Sequence, residues 1–70
     1  MKYLVVIEVG QGSVGAYVPD LPGCVAVGAD RDEVMSLIHE AIELHVDALR
    51  EQGQPVPVPH SSGELVDVPA

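Results

Sequence analysis

Basic side chains are scarce in this sequence. Lys2, Arg31 and Arg50 stand against eleven acidic residues, for a formal net charge of −8. Nucleic-acid binding needs clustered Lys and Arg on phosphates, and these three lie far apart. Aromatics are also few: two tyrosines, with no Trp and no Phe. The stacking platforms of single-strand binders are therefore nearly absent. The lone cysteine, Cys24, excludes an internal disulfide and fits a reducing, cytoplasmic setting. No apolar run approaches the roughly 18 residues of a membrane span. Lys2 is followed only by Tyr3-Leu4-Val5-Val6-Ile7 before Glu8 interrupts, shorter than the about 7–15 residues of a secretory core.

What remains is a small, acidic, hydrophobic chain. Hydrophobic residues make up 47% of it, too many for a disordered segment. Seventy residues make one domain, which buries only about 60% of its unfolded surface. Without disulfides such a domain leans on a metal, a second copy or another protein. We therefore expect a homo-oligomer, a dimer or tetramer, or a bound partner. Acidity suits a basic partner, and it also keeps a small apolar protein in solution.

The chain is organised around residues 30–52, the one long helical pattern. Asp30 is placed to cap the first turn, and Glu33 to reach back toward the cap. Val34, Leu37, Ile38, Ala41, Leu44, Ala48 and Leu49 recur at helical spacing, with Ile42 at the margin. Ser36, Glu40, Glu43, Asp47, Arg50 and Glu51 fall opposite. Gly53 supplies a stop. Such a helix needs a partner surface.

Residues 2–9 read as a strand that is apolar on both faces, expected in the centre of a sheet. Gly10-Gln11-Gly12 turns the chain into a second strand over 13–18. Gly10, Gly12 and Gly15 spell a dinucleotide-binding signature, but strand-forming residues follow where that motif needs a helix. Pro22-Gly23 suits a type II turn, and 24–28 form a third strand. After the helix, Pro55, Pro57 and Pro59 favour an extended connection. Residues 64–68 read as a final strand beside the first and parallel to it. The expected fold is α+β, in the order β-β-β-α-β.

The run Gly15-Ala16-Tyr17-Val18-Pro19-Asp20-Leu21-Pro22-Gly23-Cys24 resembles the signature of the HicB-like antitoxin family (UPF0150 type). The similarity continues through Val27-Gly28-Ala29-Asp30, Glu33 and Ala41-Ile42-Glu43-Leu44-His45 to Gly53 and the prolines after it. The resemblance implies a partial ribonuclease H-like fold. It also implies an antitoxin that binds a small basic HicA-like toxin, an enzyme that cuts messenger RNA, and occludes it without catalysis. Many family members add a DNA-binding domain. The sequence reaches only Ala70, so one domain over 1–70 and no specific DNA binding are expected. The alternative, drawn from the two-sided apolar first strand, is a stand-alone oligomeric structural or ligand-binding domain.

Catalytic chemistry finds little support in the residues. Ribonuclease H needs clustered carboxylates around metal ions, whereas Glu8, Asp20, Asp30 and Glu40 are scattered. His39 and His45 are six apart, not the three or four that helix ligands want, and His60 lies in the proline-rich stretch. We expect no metal and no cofactor. Cys24 and His45 read as packed residues. Partner contacts, if present, are placed at Tyr17, Asp20 and Leu21 beside the irregular turn and at Glu40, Glu43 and Asp47 on the acidic helix face. The first three also fit plain turn and core roles.

Overall fold

A computed structural model describes residues 1–69. Three short strands, β1 (Val6–Val9), β2 (Val14–Tyr17) and β3 (Val25–Gly28), precede one helix, α1 (Arg31–Glu51). The strands form an antiparallel sheet in the order β1-β2-β3, and α1 packs against β2 and β3. The α+β class, the three-stranded meander and the single helix agree with the sequence reading.

Local chemistry accounts for each element. Gly12 has a φ of 77°, and the Gly10 N–H donates to the Ser13 carbonyl at 2.9 Å. The glycine run thus closes a hairpin, and Gly15 lies within β2 opposite Glu8 and Val27. No helix opens there, so the dinucleotide reading falls away. Between β2 and β3 the Leu21 N–H donates to Val18 at 3.1 Å and the Cys24 N–H to Leu21 at 3.0 Å. Gly23 sits at φ 85°, as the third residue of a type II turn requires. Two consecutive turns drive the Leu21 side chain inward.

The helix is capped at both ends. The Glu33 N–H donates to the Asp30 carboxylate, and the Glu33 carboxylate accepts from the Ala29 N–H, both at 2.8 Å. At the other end the Gln54 N–H donates to Leu49 and the Gly53 N–H to Arg50, with Gly53 at φ 68°. That pair is a Schellman motif, which satisfies carbonyls the helix leaves free.

The core joins Val14, Ala16, Val18, Leu21 and Cys24 to Val34, Ile38 and Val46 of α1. Tyr3, Val5, Ile7, Ala26, Ala41, Ile42 and Val56 pack around it. Burial raises the Cys24 thiol above its ordinary value by desolvation, as expected of a packed, unreactive cysteine.

Three expectations need correction. The helix stripe is rotated: Leu37, Leu44 and Ala48 are exposed, whereas Val46 is buried and His45 half-buried. A three-stranded sheet covers a narrow strip of helix, and the residues on one flank overhang it. β1 is an edge strand, not a central one, and its ladder spans only Val6–Val9 because β2 leaves the sheet after Tyr17. Residues 64–68 form no strand; they are exposed and have no ladder partner. Extended propensity is present there, but the pairing it was expected to make is not.

Candidate functional site

One internal polar lock and two exposed surfaces make up the candidate site. The lock is Asp20, which is buried although charged. Its carboxylate accepts from the His60 and Ser61 N–H groups, each at 2.9 Å, and from the Ser61 hydroxyl at 2.6 Å. His60 Nε2 lies 3.2 Å away. These donors stabilise the anion and hold its pKa at about 2, against an ordinary 3.8; the Ser61 hydroxyl is the largest cause. The proline-rich strap after α1 is thereby pinned to the turn between β2 and β3. Val56 packs on the core, and the Tyr3 hydroxyl donates to the Pro57 carbonyl at 2.5 Å.

Asp, His and Ser meet here, yet the wiring is not nucleophilic. Ser61 Oγ donates to Asp20, so the carboxylate holds the hydroxyl directly, with no histidine between them to act as its base. The group works as a clasp. Asp20→Ala should therefore speed amide exchange at His60 and Ser61 by about tenfold or more, through local opening rather than global unfolding. The clasp also has a pH signature. The folded pKa is depressed, so its contribution is complete above 3.8 and lost as the pH falls through about 2. Exchange at both amides unchanged in Asp20→Ala would rule the clasp out.

The first surface is the outer side of α1. Glu40, Glu43 and Asp47 are all exposed there, within one patch at i, i+3 and i+7. His39 lies 3.5 Å from Glu43, on the exposed surface. The second surface is the sheet face away from α1. Val6, Tyr17 and Val25 lie side by side across the three strands, and Glu8, Gly15 and Val27 form the next row. Val25 and Val27 are 63% and 67% exposed, and Tyr17 39%.

The six residues proposed for partner contact are thus dispersed. Glu40, Glu43 and Asp47 share the helix face. Tyr17 belongs to the opposite side of the two-layer domain. Leu21 is wholly buried and Asp20 engaged in the clasp, which is the turn-and-core role. Among the described residues, no group of three or more His, Cys, Asp or Glu is gathered to hold a metal. Among the described residues, no helix is long and apolar enough to cross a membrane.

The clasp escaped the sequence reading. Asp20 and Ser61 are 41 residues apart, and spacing carries no signal over that distance. One hint was available: a carboxylate set between Pro19 and Leu21 in an otherwise apolar turn needs donors if it is buried.

Comparison with known proteins agrees with the motif. The family described as HicB-like antitoxin of bacterial toxin–antitoxin systems matches residues 3–70. A UPF0150 protein of Archaeoglobus fulgidus is 42% identical over 48 residues, covering 67% of this chain and 70% of the relative. A UPF0150 protein of Synechocystis is 39% identical over 57 residues, covering 80% of this chain and 72% of the relative. No solved structure matches.

Proposed function

The chain belongs to the HicB-like antitoxin family of bacterial toxin–antitoxin systems, and from that premise we propose that it neutralises a small, basic, HicA-like toxin by binding and masking it. The reading rests on the family match over nearly the whole chain. The mechanism is stoichiometric occlusion in the cytoplasm, with no chemistry done by this chain. The docking surface is the outer face of α1. Glu40, Glu43 and Asp47 are exposed there on a protein of net charge −8, and opposite charge on a toxin accelerates encounter and fixes orientation.

The test has two stages. The full chain is recovered from its own cells with whatever binds it, and the bound protein is then expressed alone. The expected result is a stoichiometric, small, basic protein that arrests growth, with growth restored by co-expression of this chain. Recovery of the bait alone, or of a harmless protein, would refute the antitoxin reading. Glu40→Lys/Glu43→Lys/Asp47→Lys should weaken the complex by about a hundredfold, with the helical circular dichroism unchanged. Full rescue by that variant would move the interface off α1.

Self-association is the second reading. It is favoured by the uncovered sheet face with Tyr17, Val25 and Val27, and it is compatible with toxin binding.

A further inference from the structure

The two flanks of α1 meet different neighbours. On one flank, Met35, His39 and Ile42 line a cavity of about 400 Å³ together with Met1, Tyr3 and Val5. Those N-terminal residues run straight into β1, so this flank lies on the β1 side of the sheet. The other flank carries Leu37, Leu44 and Ala48, which share one side of the helix at i, i+7 and i+11. Leu44 is 65% exposed and Leu37 39%, and Ala48 is exposed as well. This flank lies on the β3 side. Glu33, four residues before Leu37 and on the same side of the helix, marks it: its carboxylate accepts from the Ala29 N–H at 2.8 Å, immediately after β3 ends.

β3 is itself a sheet edge. Among the described residues it pairs with β2 alone, which leaves one row of its backbone groups unpaired. Ala26 packs on the core and Gly28 lies against the start of α1, whereas Val25 and Val27 are exposed on the far face. A strand added at this edge would lie under Leu37 and Leu44 with one face and continue the Val25 and Val27 rows with the other. Charge selects its owner. Glu33, Glu40 and Glu51 stand three or four residues from Leu37, Leu44 and Ala48, and all three are exposed. Arg50, the one Lys or Arg between Ser36 and Glu51, lines the cavity on the opposite flank. A second copy at this edge would set the three glutamates against their own counterparts across a two-fold axis, between chains of net charge −8. A basic segment meets complementary charge at the same positions.

We propose that the basic partner protein adds one of its own strands to the β3 edge, with apolar side chains beneath Leu37 and Leu44 and Lys or Arg against Glu33, Glu40 and Glu51. Main-chain pairing of this kind gives affinity, and the side chains on each face give specificity. The inference rests on the toxin-masking reading and deepens it. Glu40 already belongs to the acidic helix face, and the docking surface continues from there past Leu37 and Leu44 onto the sheet. β3 offers four residues, about 13 Å of edge, so the added strand is short and the two leucines supply much of its grip.

The probe is the small basic protein that co-purifies with the full chain, titrated back onto it. The expected result is slower amide exchange within Val25–Gly28 in the complex, with Val6–Val9 at the other edge unchanged. Leu37→Gln/Leu44→Gln should raise the dissociation constant by about a hundredfold, since both leucines lose their apolar contact with the added strand. Met35→Gln, on the β1-side flank, should leave it unchanged. All three side chains are exposed, so helical circular dichroism should match the parent chain in both variants. Undiminished binding by the leucine variant, or protection at Val6–Val9 instead, would overturn edge docking and leave the toxin-masking reading standing. Absence of any basic protein that binds would overturn both. Protection of Val25–Gly28 that then grows with the concentration of this chain alone would give the edge to a second copy.

Discussion

Leu21→Ala is expected to leave most of the protein unfolded at 25 °C, with a urea midpoint near or below zero denaturant. Leu21 is fully buried and lies at the junction of the sheet, α1 and the strap. Its truncation removes transfer energy and leaves a hole, together worth about 2–5 kcal/mol. A core of this size rarely supplies more than about 3–5 kcal/mol in total. The turns on either side are closed by backbone hydrogen bonds on both flanks of Leu21, so the site has little freedom to collapse around the gap. Far-UV circular dichroism with a urea titration reads the loss directly. A midpoint unchanged from the parent chain would mean that the turn is not part of the folding core. The same substitution at Leu44, which is 65% exposed, should have little effect on stability beyond helix propensity.

The contrast between Leu21 and Leu44 marks what could be read from the sequence. Periodicity over 30–52 identified α1, and Asp30, Glu33 and Gly53 marked its ends, because capping is decided within a few residues of the cap. Pro22-Gly23 and the glycines at 10 and 12 identified the turns for the same reason. Periodicity defines an apolar stripe, however, and not which edge of it meets the sheet. That edge depends on how wide the sheet is, and β1 ends the sheet sooner than its apolar pattern suggested. Leu44 was therefore placed inside and Val46 missed. The 64–68 segment failed differently. Its extended pattern is real, but a strand exists only through a neighbour, and the choice of neighbour is tertiary. The acidic helix face was legible, since charge pattern and surface exposure coincide there. The Asp20 clasp was not, because its donors come from a strap 40 residues away.

Gly28→Ala should destabilise the fold by roughly 2–4 kcal/mol, combining local overpacking with a weakened helix cap. Gly28 ends β3, where the chain turns directly into α1. A Cβ at that position would sit 2.9 Å from the Val34 backbone nitrogen, and 3.1 and 3.2 Å from the Glu33 side chain. The backbone atom is held by the first turn of the helix, whose Val34 N–H donates to the Asp30 carbonyl at 3.0 Å. Relief therefore requires α1 to lift from β3, or Glu33 to swing away and abandon the Ala29 N–H. Either movement weakens the joint between the helix and the sheet, across which Val34 and Ile38 are buried. Gly15→Ala is the matched control. It lies within β2, where a Cβ would meet nothing closer than 4.0 Å, and restricting the unfolded backbone there should be neutral or stabilising by about 0.4–1 kcal/mol. Paired urea titrations should therefore move in opposite directions, or at least differ by most of the predicted gap. Equal midpoints for the two variants would mean that close approach at Gly28 does not govern how the helix seats. If the gap appears, the small residue between β3 and the cap is a packing requirement, and Gly28 of the family motif is explained by steric contact, as Asp30 is by capping.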